Sequence, residues 1–262
     1  MEIIVCLRQT AIIKEEPKVQ SDGKTLDLSG FNRHLNEWDA YALEEALLLA
    51  QKYGGDASVI SLGPGEAQEV LFYGLAAGAK RAIHILTPDQ QHIDNWTIAN
   101  VLARVIKKGS FDLVMTGVQA EDDGCAEIGA TLAHLLGIPH ASLVMRVEYE
   151  QGQNAVKVDR ELEAGYVDSL RLTLPALLTI QTGISQPRYI SSMRLRRFKK
   201  SATITKVSFE DIVSEGEGPS PREEVLGLYP YQPEASQVEV LEGSPEAMAD
   251  QLFERLQSKG VL

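Results

Sequence analysis

Apolar runs alternate along the chain with segments whose apolar residues recur at helical spacing, and that alternation predicts the architecture. Residues 3–7 (Ile-Ile-Val-Cys-Leu) are continuously apolar, as a strand buried on both faces of a parallel sheet requires. A polar stretch runs from Lys14 to His34, with Asp22-Gly23 as its turn signal. A helix is predicted next. Asn36 stands at its cap and Asp39 in its first turn, while Ala42, Leu43, Ala46 and Leu47 share one face until Gly54-Gly55 stops it. The alternation then repeats, with strands over 57–62, 81–86 and 112–116 and helices over 66–77, 93–107 and 126–136. Gly63-Pro64-Gly65, Gly78 and Gly137 punctuate them. Short connections between alternating strands and helices predict an α/β fold, a mainly parallel sheet covered on both sides.

After Pro139 the pattern turns β-rich, with pieces over 142–149, 155–161, 167–174 and 176–181. These either extend the sheet with antiparallel edge strands or form a small subsheet. From Pro187 the composition changes twice. Residues 188–200 carry Arg188, Arg194, Arg196, Arg197, Lys199 and Lys200 and no acidic residue. Residues 201–262 hold four basic and twelve acidic residues with prolines at 219, 221, 230, 233 and 245, too few regularly spaced apolar positions for a core of their own. The expected organisation is a core over 1–186, a basic loop over 187–200 and an acidic arm over 201–262. Within the arm, Ser244-Pro245-Glu246 followed by Met248, Leu252 and Leu256 predicts a capped amphipathic helix, docked on its own domain or on a partner.

The charge balance narrows the function. With 25 Lys+Arg against 37 Asp+Glu the 262-residue chain carries −12, which argues against a general nucleic-acid binder. Cys6 and Cys125 stand far apart without CxxC spacing, so neither a disulfide framework nor a zinc site is indicated. The N-terminus lacks the pattern of a signal peptide, and no apolar run reaches the ~20 residues that cross a bilayer. A cytoplasmic protein with no membrane insertion is expected.

Candidate chemistry gathers where strand ends meet helix starts, because unpaired N–H groups and the helix dipole converge there. Three such places are Asn36–Asp39, Gly63–Gly65 and the loop 117–125, Gly-Val-Gln-Ala-Glu-Asp-Asp-Gly-Cys. None is a GxxxxGK[ST] or GxGxxG motif. In the acidic loop, Asp122 or Asp123 is expected either to cap the following helix or to meet a ribose. Cys125 has no identifiable base beside it, the five histidines lack metal-ligand spacing, and no GxSxG or HExxH motif is present, so no catalytic residue or metal ligand is assigned. In the basic segment, Met193, Leu195 and Phe198 among the cations suit a docking element, since charge guides encounter and apolar side chains anchor it.

In order along the chain, several motifs resemble those of the β subunit of electron transfer flavoprotein. They are Asn36-Glu37-Trp38-Asp39-Ala40 running into Ala42-Leu43-Glu44-Glu45-Ala46, Gly63-Pro64, Leu75-Ala76-Ala77-Gly78-Ala79 and Gly117-Val118-Gln119-Ala120-Glu121-Asp122. Arg160-Glu161 through Gly165, Leu174-Pro175-Ala176-Leu177-Leu178-Thr179 and Pro187-Arg188-Tyr189 continue the series. The resemblance implies a Rossmann-like core that pairs with an α subunit carrying the redox FAD. It further implies a nucleotide in the β subunit, AMP as a structural ligand or a second FAD in electron-bifurcating members. Carried over by motif, that nucleotide would contact Cys6, Asn36, Glu37, Trp38, Asp39, Leu62, Gln119, Glu121, Asp122, Asp123, Gly124, Cys125, Ala126, Glu127, Ile128 and Gly129. The loop Asp123-Gly124-Cys125-Ala126-Glu127-Ile128-Gly129 matches neither the AMP form nor the bifurcating form of the family, so both ligands stay open here.

The resemblance also implies a docking element, made here by Arg188, Tyr189, Ser192, Met193, Arg194 and Leu195. Met193 would serve as its flexible apolar anchor. Its implied partners are an acyl-CoA dehydrogenase or related flavoprotein as electron donor and a membrane-associated quinone oxidoreductase as acceptor. Two other readings remain at this point. One is a bifurcating subunit that accepts hydride from NADH on its own FAD; the other is a standalone adenine-nucleotide-binding domain or hydrolase.

Overall fold

The computed structural model describes residues 1–13, 17–88, 93–214, 221–229, 238 and 240–261. From the N-terminus, β1 (Glu2–Cys6) leads into four short strands, β2 (Gln9–Ala11), β3 (Lys18–Val19), β4 (Leu26–Asp27) and β5 (Arg33–Leu35). The alternating body follows as α1 (Glu37–Tyr53), β6 (Asp56–Gly63), α2 (Gln68–Ala77), β7 (Arg81–Leu86), α3 (Asn95–Ile106), β8 (Leu113–Gly117) and α4 (Ile128–Leu136). Then come β9 (His140–Glu150), β10 (Ala155–Glu161), β11 (Val167–Thr173), β12 (Ala176–Ile180), α5 (Ser192–Ser201), β13 (Thr205–Ser208), α6 (Phe209–Ser214) and α7 (Pro245–Ser258). The helix expected from Glu66 begins as a 3-10 turn over Gly65–Ala67 and becomes α2 at Gln68.

A nine-stranded sheet runs in the order β11-β10-β9-β12-β8-β1-β6-β7-β13. Its pairs are parallel except β9 with β10 and β10 with β11. The β-rich pieces therefore extend the main sheet, and one of them, β12, inserts in parallel between β8 and β9. Two cores explain the unbroken apolar runs. Neighbouring residues on a strand face opposite ways, so Met115 and Leu178 enter the core beneath α1 and α2, and Val114 and Leu177 enter the one beneath α3 and α4. Gly129 lets α4 approach the sheet, because a Cβ there would collide with the Thr179 methyl.

The structural break does not follow the compositional one. Beyond residue 201 the chain returns to the sheet: β13 pairs with β7, and Phe209 and Ile212 of α6 are buried in the second core. The compact units divide instead between Gly227 and Leu228. In the second unit, Ser244 caps α7 by accepting from the Ala247 amide (3.3 Å), as expected, and Leu252 and Phe253 are exposed. Among the described residues no helix is long and apolar enough to cross a membrane.

Part of the segment expected as a basic loop is helix α5, capped by the Ser191 hydroxyl, which accepts from the Arg194 amide. Its entry is fixed internally. Arg188 grips the buried carboxylate of Glu44 on α1 with Nε (2.7 Å) and Nη2 (2.8 Å), and its Nη1 donates to the Ala77 carbonyl (3.1 Å). Arg188 thus faces inward, whereas Tyr189, Ser192, Met193 and Arg194 are exposed and Leu195 is half-buried. Beside Glu44, burial and that neighbouring carboxylate push Glu45 up to about 7. Truncating Arg188→Ala leaves Glu44 buried without its cation. The unfolding free energy is then expected to fall by about 2 kcal/mol, discounting for the partial exposure of the arginine. Urea denaturation checks this, and Arg188→Lys should recover only part because it loses the two-pronged geometry.

Candidate functional site

The carboxyl ends of β1, β6 and β8 meet at the start of α1, and one carboxylate joins them. Asp39 is buried and accepts the Arg8 amide at Oδ2 (2.7 Å) and the Gly117 amide at Oδ1 (2.8 Å), tying the segments that leave β1 and β8 to the first turn of α1. Burial raises its carboxyl to about 6, against the hydrogen bonds it receives. The close approach explains Gly117, where a Cβ would stand 2.5 Å from Trp38 Cβ and 2.7 Å from Asp39 Oδ1.

Asn36 sits at the cap of α1, yet its side chain does not cap the helix. Its Nδ2 donates to the Gln119 carbonyl (2.9 Å) and its Oδ1 accepts from the Glu121 amide (3.2 Å), which fixes the acidic loop. Glu121 supplies the cap instead, accepting from the Glu37 amide (3.0 Å), and its other oxygen lies 2.7 Å from His34 Nε2. Asp122 and Asp123 do not cap α4 as expected. Both pair with Arg8 (3.0 and 2.7 Å), and Asp123 also accepts the Cys125 amide (2.9 Å) in a local turn. Their charge is spent on holding the loop against β1.

These fixed segments enclose a cavity of about 530 Å³. Of the residues carried over by motif, Cys6, Asn36, Asp39, Leu62, Gln119, Asp123, Cys125, Ala126, Glu127 and Ile128 line it. Glu37, Trp38, Glu121, Asp122, Gly124 and Gly129 do not. Trp38, half-buried, donates its indole N–H to Gln181 Oε1 (3.2 Å). Cys6 is buried, and burial with nearby Asp39 pushes its thiol well above the ordinary range, so it is an apolar wall and not a nucleophile. Burial likewise raises the Cys125 thiol.

Several lining residues were missed from sequence: Ser61 and Thr87 at strand ends, Asp94, Asn95, Ile98 and Leu102 of the α3 region, and Glu223–Val225. The signal for Asp94 was legible, an Asp three residues before a Thr at the start of an apolar-periodic run; Asp94 Oδ1 accepts the Thr97 amide (3.0 Å). Nothing in composition announces Glu223–Val225. One wall of the cavity is apolar, with Cys6, Ile60, Leu62, Ile98 and Leu102, while the Ser61 hydroxyl is buried without a hydrogen-bond partner among the described residues. Arg8 is the only cation among the described lining residues, and it is already paired. Of the three helix starts at the cavity, α1 is capped by Glu121 and α3 by Asp94, while α4 has no side-chain cap.

The fold and site thus define an open α/β sheet protein with a ligand-sized crevice at the carboxyl ends of its strands. A model of the electron transfer flavoprotein domain matches residues 25–212. Among similar proteins, an electron transfer flavoprotein subunit beta of Methylophilus methylotrophus is 38% identical over 216 residues, covering 81% of this chain and 81% of the relative. One of Bacillus subtilis is 30% identical over 260 residues, covering 99% and 98%. A third, from Clostridium acetobutylicum, is 36% identical over 194 residues, covering 73% and 72%. The chain belongs to the electron transfer flavoprotein family, among its β subunits.

The Asp39 clamp generates a pH-dependent expectation. Asp39→Asn keeps one acceptor but turns an NH2 toward a backbone N–H, so it should cost about 2 kcal/mol of stability. In the wild type the folded state binds the extra proton between roughly pH 4, near the unfolded value, and the folded value of about 6. The carboxyl's contribution therefore falls as pH rises through that window. The gap between wild type and variant should be larger at pH 4 than at pH 7, read from urea midpoints at both.

Proposed function

We propose that this chain is the β half of a heterodimeric electron carrier. It would hold AMP in the crevice as a structural ligand, support an α subunit that carries the redox FAD, and dock an acyl-CoA dehydrogenase-type donor in the cytoplasm. The observation that carries the ligand assignment is the cavity of about 530 Å³ with one apolar wall and one helix start, that of α4, without a side-chain cap, a size and lining suited to a nucleoside. Cys6, Ile60, Leu62, Ile98 and Leu102 supply a surface for a planar base. The phosphate fits at α4, whose first amides have no side-chain cap. The paired Arg8 moderates the local negative charge without being free to clasp the phosphate.

AMP brings no redox chemistry; it would brace the loop 117–129 against β1 and α3. The docking role rests on α5, whose exposed Met193 and basic side chains stand on a base fixed by Arg188 and Glu44. Two free cysteines, one of them buried, agree with a reducing compartment.

The decisive measurement is cofactor release. The chain is co-purified with its α partner and denatured, and the small molecules are identified by mass and counted. One AMP and one flavin per complex is the expected result; two flavins and no AMP would replace this reading with the bifurcating one.

A further inference from the structure

The segment Pro221–Val225 comes to the cavity from far along the chain. Glu223, Glu224 and Val225 form part of the lining, although residues 221–224 are all exposed and Val225 is only half-buried. With no buried apolar side chain, this segment is not held by a core. It is held by Asp94. While Oδ1 caps α3, Oδ2 accepts the amides of Arg222 (2.7 Å) and Glu223 (3.3 Å). The Arg222 guanidinium then lies over the Trp96 ring, 3.5 Å from its centroid. On the other side, Lys24 reaches Glu224 (3.1 Å) from the loop between β3 and β4. Burial opposes the Asp94 charge, and the hydrogen bonds it accepts outweigh that, holding its carboxyl below the ordinary range.

We propose that Pro221–Val225 is a retaining strap over the nucleotide cavity, and that the Asp94 carboxylate sets how fast the ligand leaves. The inference rests on the nucleotide reading given above and adds to it a gate. A segment fastened by a few hydrogen bonds and one stacked cation opens at small cost, without disturbing the sheet. Its acidic side chains also fix the polarity of the ligand. Glu223 and Glu224 repel phosphate and accept hydrogen bonds, so the strap favours the hydroxyl- and amine-bearing part of the ligand.

The test is a chase. Full-length chain, co-purified with its α partner and loaded with radiolabelled AMP, is diluted into excess unlabelled AMP and release is followed in time. Asp94→Asn retains an acceptor for the Thr97 amide while turning its NH2 toward the Arg222 and Glu223 amides. It should release AMP at least tenfold faster than wild type. Arg222→Ala, an exposed change that removes the stacking on Trp96 but leaves the Asp94 cap of α3 in place, should speed release several-fold with an unchanged melting temperature. Release at the wild-type rate from a folded Arg222→Ala, together with no acceleration in Asp94→Asn, would overturn the strap while the nucleotide reading stood. A wild-type complex that retains no AMP would overturn both, and is told apart because no release phase is seen at all.

Discussion

The crevice exists because one buried carboxylate holds two chain ends together. Asp39 accepts the amides of Arg8 and Gly117, so the segments after β1 and β8 cannot separate, and the first turn of α1 is drawn in between them. The amide of an asparagine accepts only one of these groups, because both of them are donors. From that junction the rest follows: Asn36 reaches across to fix the loop after β8, Glu121 of that loop returns to cap α1, and Arg8 draws in the two aspartates beyond it. The mutual dependence makes the cavity wall a single unit rather than a set of independent loops.

Much of the fold was legible because its signals are local. The continuous apolar run 3–7 and the apolar-rich stretches 57–62 and 112–116 marked strands buried on both faces, and glycines closed the helices near where the structure ends them. What could not be read was long-range pairing. Periodicity identifies 176–181 as a strand but cannot say that it slips between β8 and β9, and the acidic composition after 201 concealed a four-residue strand that returns to the sheet edge. The basic segment was read as a docking loop, whereas a serine caps a helix there and Phe198 packs against the core.

The site was legible in outline and not in its wiring. Asn36, Asp39 and the acidic loop were singled out, yet their roles as cap, ribose contact or helix partner could not be told apart from type and spacing. An aspartate before a helix and an aspartate gripped by an arginine over a hundred residues away look alike in sequence. Resemblance supplied a list of positions; geometry divides it into residues that line the cavity and residues that do not. Glu223–Val225 lay outside both kinds of reading, because they reach the cavity through backbone amides, which carry no side-chain signature.

Helix α5 is anchored before its start by Arg188 on Glu44 and shortly after its end by β13 on β7. Between those two fixed points it buries no residue completely. Its outward surface can therefore change composition at little cost to the molecule beneath.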